Sequence, residues 1–316
     1  MDFQNSKLFG VTNKKYLSEL LHIEVYKLKD IEKFFTTKPF FSKDKKKRML
    51  YNPPLEYKRV IKRMASMLAD IEPPDYVYGG IRNRSYVGNA NEHLENDYFL
   101  LLDIKNFFPS TSEYYVYTFF KDKLQMSKDI AKICSLLTTE PLPHSKASRH
   151  LPQGYSTSPL LSFFSYYDMF FGLKTVANRN NIKFTCYYDD LTFSSRSFIS
   201  KKFRSHVISI VNSFKLSVNT RKSRLLHNRR GIGVTGTVIK NNRLYVPNQL
   251  QLKTVKVYRE LTHQFVSQPQ DKKRLDNLCN KLQGYIIAVK AVEPDKPTNH
   301  FSHKLNEVKE YLRKIN

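Results

Sequence analysis

The sequence predicts an α+β fold, with long amphipathic helices beside short apolar strands. Three observations carry that expectation. Apolar residues recur at helical spacing in "EYKRVIKRMASMLADI" (56–71) and "PLLSFFSYYDMFFGLKTVANRN" (159–180). Apolar runs of strand length stand at "DYFLLLDI" (97–104) and around "FTCYYDDLTFSS" (184–195). From 249 to the end the pattern is helical and basic.

Taken in chain order, residues 13–36 alternate apolar and basic positions at helical spacing. A basic cluster, "SKDKKKRMLYNPP" (42–54), ends in a Pro-Pro stop. The basic amphipathic helix at 56–71 follows, then a Gly/Asn-rich loop, "YGGIRNRSYVGNANEH" (78–93). After the strand at 97–104, "SEYYVYTFFKDKLQ" and its continuation read as helix to about 138. "PLPHSKASRHLPQGYSTSP" (141–159) is a Pro/Ser-rich connection leading into the apolar helix at 159–180. A helix is expected at about 200–215. "GIGVTGTVI" (231–239) with "RLYVP" (243–247) then reads as a hairpin. There is no internal repeat and no long low-complexity linker.

Composition narrows the function. At 316 residues the chain can bury a sizeable core, as one body or two to three subdomains. Its 53 Lys+Arg against 28 Asp+Glu leave a net charge of +25, which implies a polyanionic partner, nucleic acid before an anionic membrane surface. No run of 18 apolar residues exists, so no membrane span or membrane partner is expected. The N-terminal "MDFQNSKLFG" has no basic-then-apolar secretion pattern. Three scattered cysteines, Cys134, Cys186 and Cys279, fit buried free thiols in a reducing cytoplasm. The 20 Tyr and 22 Phe supply the core and leave rings available for base stacking.

The chemistry centres on carboxylates. Asp189 and Asp190 stand side by side in an apolar, aromatic run, and Asp103 ends the strand "LLLD". Like charges packed together are costly unless something neutralises them. If the two strands are neighbours in one sheet, three carboxylates converge. Such oxygen donors suit Mg²⁺, which takes one or two carboxylates plus substrate phosphates. Two such ions about 3.5–4 Å apart can activate a hydroxyl and stabilise a leaving pyrophosphate.

That context resembles reverse transcriptases, and among them the bacterial retron type. "YYDD" fits the Tyr-x-Asp-Asp signature, "LLDIKNFFPS" the strand with the first metal aspartate, and "LPQGYSTSP" the Pro-Gln-Gly segment. "SVNTRKSRLL" fits the motif with a lysine near the triphosphate, and "VTGTVI" the hairpin that grips the primer. The five occur in the family's order across 97–239. Two further elements mark retron enzymes: Asn-Ala-x-x-His, here Asn89 to His93, and Val-Thr-Gly, here Val234, Thr235 and Gly236. The resemblance covers roughly 40–290.

The resemblance implies a right-hand polymerase: N-terminal region and fingers over 1–96, palm with an antiparallel sheet over 97–240 with a fingers insertion around 110–150, and a helical, basic thumb over 241–316. It implies Asp103, Asp189 and Asp190 as the metal set for two Mg²⁺ ions, with Asp190 the softer ligand. Lys222 would stand near the leaving pyrophosphate, where a lysine neutralises charge or donates a proton. Lys47 and Arg48 would meet the triphosphate, Arg48 matching better. Phe108, five residues past Asp103, stands at the steric-gate position that disfavours a 2′-hydroxyl. Its neighbour Phe107 shares the ambiguity, since successive strand side chains face opposite ways. Gln153 would hydrogen-bond near nucleotide or template, and Gly154 would permit close backbone approach to substrate. Asn89, His93, Val234, Thr235 and Gly236 would belong to RNA recognition, with His93 either structural or an RNA contact. Cys134, His93, His144 and His150 make no zinc spacing.

The implied activity is RNA-directed DNA synthesis on a cognate structured non-coding RNA. It would start from a 2′-hydroxyl of that RNA, use dNTPs, and yield a small RNA-linked single-stranded DNA, in anti-phage defence with an effector protein. RNA would be read by shape and 2′-hydroxyls. The alternatives are another bacterial defence-associated or intron-type reverse transcriptase and a non-catalytic, polymerase-like RNA-binding module. Tyr188 departs from the family, whose retron members mostly carry alanine there, and Lys105 and Asn106 stand where many relatives are acidic.

Overall fold

The computed structural model describes residues 1–43, 47–142 and 145–314. Asp44, Lys45 and Lys46 of the basic cluster, and Pro143 and His144 of the Pro/Ser-rich connection, lie outside the described residues. The chain packs as two compact units, Met1–Ser85 with Tyr98–Leu225, and Tyr86–Asp97 with the residues from Leu226 onward.

The first unit carries two short hairpins and the main sheet. β1 (Pro39–Phe41) pairs antiparallel with β2 (Met49–Tyr51). β3 (Tyr98–Asp103) is the expected apolar strand. β4 (Glu140–Leu142) and β5 (Ser145–His150) form a hairpin inside the segment expected to be a connection. Arg149 accounts for the difference. Its guanidinium donates to the Leu136 carbonyl at 3.1 Å and to the Thr139 hydroxyl at 3.2 Å, capping the helix Lys128–Thr138 and pinning β5 there. β6 (Lys183–Tyr187) and β7 (Asp190–Ser195) flank Tyr188 and Asp189, and Asp190 opens β7. The strand order is β6-β7-β3, with β8 (Arg224–His227) at the other edge.

Helices cover one side of this sheet. Phe193 stacks on Phe184 at 4.7 Å between centroids and meets Phe203 of the helix Lys201–Ser213 at 5.6 Å. The expected single helix at 159–180 is two, Ser158–Phe164 and Tyr167–Arg179. Tyr166 leaves helical geometry at the break. Its ring is fully buried between Phe107, at 5.8 Å, and Tyr115, at 4.6 Å, a position a continuous helix would not reach. The helix Leu55–Ala69 stands as expected, burying Tyr57, Val60, Ile61, Met64, Met67 and Leu68. Residues 13–36 are broken instead, because His22 (φ 54°) ends the helix Lys14–Leu21 and only short turns follow. Gln125 (φ 53°) likewise divides the segment to 138.

The second unit has its own core. β9 (Ile232–Val234), β10 (Thr237–Lys240) and β11 (Arg243–Tyr245) form a three-stranded antiparallel meander, one strand more than the expected hairpin. The helices Asn248–Ser267, Lys272–Val292 and Asn299–Lys314 bury Leu261, Leu275, Leu278, Leu282 and Val308 among themselves. A short helix, Tyr86–Asn91, replaces part of the expected loop. All three cysteines are free and buried. Among the described residues no helix is long and apolar enough to cross a membrane.

Candidate active site

The apolar run of β3 delivers Asp103 to the strand's end, where Asn106 (φ 49°) turns the chain away. Asp103 is only 7% exposed, so its carboxylate is desolvated and needs partners. Lys222 Nζ donates to its Oδ1. The turn at Asn219 brings Lys222 there: Asn219 N–H donates to the Asp103 carbonyl at 2.7 Å, and the Asn219 carbonyl accepts from Lys222 N–H at 3.1 Å. The bond to Asp103 raises the Lys222 ammonium above its ordinary pKa, so it stays charged.

Asp189 arrives from the other side. β6 and β7 pair with Tyr187 opposite Asp190, which leaves Tyr188 and Asp189 as a two-residue turn. The Asp189 carbonyl accepts from Ile104 N–H at 2.9 Å, tying the turn to the end of β3. Burial, and then the charge of Asp103, push the Asp189 carboxyl above the usual carboxylate range, while Lys222 and Arg48 pull it back. Asp190 is exposed and starts β7 directly opposite Asp103. The strand-neighbour expectation is therefore met, but the three aspartates are not equivalent. Asp103 and Asp189 line a shared cleft of about 640 Å³, and Asp190 does not. Among the described residues no three His, Cys, Asp or Glu side chains form a metal cage. Two carboxylates facing one cleft still fit a hard divalent cation that takes its remaining oxygens from phosphates and water.

The cleft gathers most of the other expected residues. Lys47, Arg48, Phe108, Gln153 and Lys222 all line it. Arg48 is set by a clasp: its N–H donates to Ser42 Oγ at 2.8 Å, and its carbonyl accepts from Ser42 N–H at 2.8 Å. Phe107 lines the cleft as well, but it is 2% exposed whereas Phe108 is half-buried. They lie on a short helical turn, Phe107–Ser110, rather than on a strand. The Gln153 carbonyl accepts from Tyr51 N–H at 2.8 Å, docking the Pro-Gln-Gly loop on β2. Gly154 (φ 114°) serves that docking: a β carbon there would overlap the Tyr51 carbonyl oxygen. The close approach in this structure is to β2 of the same chain.

Beneath the loop lies a buried polar group. Tyr155 OH donates to Glu140, and Thr37 Oγ1 lies 2.9 Å from the same hydroxyl. Burial raises the Glu140 carboxyl and lowers His150 to about 4, so His150 is neutral at pH 7. Met49, Asn219 and Tyr188 also line the cleft, and sequence reasoning gave none of them a role. The fixed offset of Asn219 from Lys222 was the available signal.

The two retron-marking elements meet inside the second unit. Asn89 Nδ2 donates to Thr235 Oγ1 at 3.1 Å, and Thr235 Oγ1 donates to the Tyr86 carbonyl at 3.2 Å. Thr235 (φ 42°) and Gly236 (φ 90°) form the two-residue turn between β9 and β10, a geometry that needs positive φ at both places. Asn89 and His93 are fully buried and Val234 is 1% exposed, and of these Asn89 braces the hairpin through Thr235. Only Thr235, in part, and Gly236 reach the surface.

Comparison with known proteins agrees with this geometry. The profile of the family described as "Reverse transcriptase (RNA-dependent DNA polymerase)" matches residues 40–264. The Retron Se72 reverse transcriptase of Salmonella heidelberg (strain 579083-10) is 29% identical over 211 residues, covering 63% of this chain and 53% of that protein. The Retron Ec73 reverse transcriptase of Escherichia coli is 26% identical over 284 residues, covering 85% of this chain and 84% of that protein. For the Retron Ec86 reverse transcriptase of Escherichia coli the figures are 26% over 206 residues, 64% and 61%. Against Se72 and Ec86 the chain thus spans little more than half of the relative's length. Among solved structures, a telomerase from Candida albicans with a telomeric RNA fragment matches at TM-score 0.45 and 9% identity, over 89% of this chain and 60% of that one. A foamy viral protease-reverse transcriptase with an RNA/DNA hybrid matches at TM-score 0.44 and 16% identity, over 88% and 33%. The profile match over most of the chain and the retron relatives give one conclusion: the chain belongs to the reverse transcriptase family and is of the bacterial retron type.

Proposed function

We propose that the chain is an RNA-directed DNA polymerase that copies part of a cognate structured RNA into a small RNA-linked single-stranded DNA. One observation carries the reading: Asp103 and Asp189 share a cleft with Lys222, Arg48, Gln153 and Phe108. Carboxylates on one side and phosphate-binding cations on the other fit a nucleoside triphosphate between them.

Asp103 and Asp189 would hold divalent metal, Mg²⁺ by the chemistry of hard oxygen donors, with Asp190 beside them on β7. Bound there, the metal supplies activation of the attacking hydroxyl and neutralisation of the leaving pyrophosphate. Arg48 and Lys47 would grip the triphosphate. Lys222, exposed over about half its side chain and kept protonated by Asp103, would shift toward the departing phosphates and neutralise or protonate them. Phe108 would press on the sugar where a 2′-hydroxyl projects, and Gln153 would position the base pair. Fingers, palm and thumb would correspond to 1–96, 97–240 and 241–316. The net charge of +25 supports an RNA partner and its DNA product. Priming from a 2′-hydroxyl, a defence role with an effector protein, and action in the cytoplasm rest on the likeness to retron enzymes.

The test is expression of the gene with its native upstream DNA, purification, RNase digestion and a denaturing gel, beside an Asp189→Ala, Asp190→Ala control. A discrete small DNA that the control lacks is expected. Extension of an added primer on RNA with no such DNA would keep the polymerase and remove the retron product. Neither, from folded protein with Mg²⁺, would favour the RNA-binding module.

A further inference from the structure

Tyr188 is the residue of the Tyr-x-Asp-Asp turn that the reading above leaves without a role. It sits at φ 55°, a left-handed conformation uncommon for a bulky side chain. Two glycines make room for it. A β carbon on Gly79 would overlap the Tyr188 amide nitrogen and stand 2.9 Å from its ring. One on Gly80 (φ 74°) would stand 2.9 Å from the Tyr188 hydroxyl oxygen and 2.7 Å from Pro159 Cβ. While Tyr188 is in place, those two positions accept only glycine.

The glycines are themselves fixed. Tyr78 N–H donates to the Cys186 carbonyl, and Cys186 N–H to the Tyr76 carbonyl, both at 2.8 Å. Their segment thereby runs alongside β6. The Arg84 guanidinium donates to the carbonyls of Val77, at 2.7 Å, Pro73, at 3.0 Å, and Pro74, closing the loop on itself. On its far side the Tyr188 ring meets Phe108 at 5.9 Å between centroids, tilted by 54°. Phe108 is half-buried, and both rings line the cleft that holds Asp103 and Asp189. A half-buried ring has alternative rotamers open to it, and a neighbouring aromatic removes some of them.

We propose that Tyr188, seated on Gly79 and Gly80, is a positioning residue for Phe108, and that this stack sets how strongly the cleft prefers deoxyribonucleoside over ribonucleoside triphosphates. The inference rests on the polymerase reading of the cleft. Glycine seat, tyrosine and phenylalanine form one chain of contacts, so loosening the tyrosine frees the ring that meets the sugar.

Single-nucleotide insertion on a primed RNA template, with Mg²⁺ and either a dNTP or the matching rNTP, tests it. The readout is the ratio of kcat/KM values for the two substrates. Phe108→Ala is expected to lower the ratio by about tenfold or more. Tyr188→Ala is expected to lower it in the same direction, through a lower KM for the rNTP, whereas Tyr188→Phe keeps the ratio. The double variant is expected to fall no further than Phe108→Ala alone, because both act through one ring. If Tyr188→Ala does not fold, Tyr188→Leu fills the seat without a ring to stack and carries the same expectation. An unchanged ratio in Tyr188→Ala or Tyr188→Leu, or a double variant whose loss equals the product of the singles, overturns the inference alone. Wild-type protein that inserts neither substrate overturns the polymerase reading and the inference with it.

Discussion

Two hairpin turns in this chain solve the same backbone problem for different ends. Tyr188 at φ 55° and Thr235 at φ 42° each occupy a two-residue turn in a conformation that suits glycine or asparagine. Each is held by a segment about a hundred residues or more upstream in sequence. At the first turn the holding is steric, with Gly79 and Gly80 making space for the Tyr188 backbone and ring. At the second it is polar, through Asn89, the Thr235 hydroxyl and the Tyr86 carbonyl. The first turn spends its rigidity on aiming a desolvated carboxylate at a cleft beside another. The second aims no charged group and holds its hairpin. Strain of about 1–3 kcal/mol persists only where surroundings over-determine it. At one turn the return is a carboxylate held at a cleft, at the other a braced hairpin.

Substitutions separate these roles. The largest expected effect is Asp189→Asn. It should lower Mg²⁺-dependent primer extension on the order of 10²–10³-fold or more. In metal-free buffer its Tm should equal or exceed that of the wild type, because a buried carboxylate facing Asp103 no longer has to be charged. A lower Tm would show that the first turn is structural like the second.

Asn89→Ala should do the reverse. It leaves the Thr235 turn without its donor and should lower stability by about 1–3 kcal/mol in chemical denaturation. An unchanged midpoint would mean that the Thr235 geometry needs no side-chain support.

The smallest expected effect concerns pH. The groups holding the second turn are neutral amides and hydroxyls, whereas the loop carrying Gln153 rests near His150 and Glu140. Burial lowers His150 from 6.5 to about 4. Between those values the unfolded chain takes up a proton that the folded chain refuses, so this residue's contribution to stability falls as pH drops. Glu140, raised by burial, acts in the opposite direction. A comparison with His150→Gln isolates the histidine. The Tm advantage of wild type over the variant should shrink from pH 7.5 to pH 5. A constant gap would place His150 outside the linkage.

Much of the site was legible in the residues because its parts are local. The strand ending in Asp103, the turn carrying Asp189 and the lysine of "NTRKS" each announce themselves within about ten residues of sequence. The helices at 55–69 and 248–314 were equally readable, since a long amphipathic face is a repeated signal. The errors fell where a single contact overrides the pattern. Tyr166 breaks a helix to fill the core, and Arg149 draws a Pro/Ser-rich stretch into a hairpin. Asn89, expected in RNA recognition, is buried, and so is His93, which was left open between a structural role and an RNA contact.

By itself, then, the sequence determined the charge that calls for a polyanion, the existence of the main strands and helices, and carboxylates suited to a divalent cation, while the cations to set beside them came from the resemblance to reverse transcriptases. These depend on residue type and short-range periodicity. Only the tertiary structure decided that Asp103 and Asp189 line one cleft, with Asp190 paired opposite Asp103. It also decided that Gly154 serves β2, that Gly79 and Gly80 seat Tyr188, and that Asn89 braces Thr235. Each of those pairs, apart from the neighbouring aspartates, joins residues about 80 to 150 positions apart. Which side chain meets which is set by register and packing once the chain has closed, and no local signal encodes it.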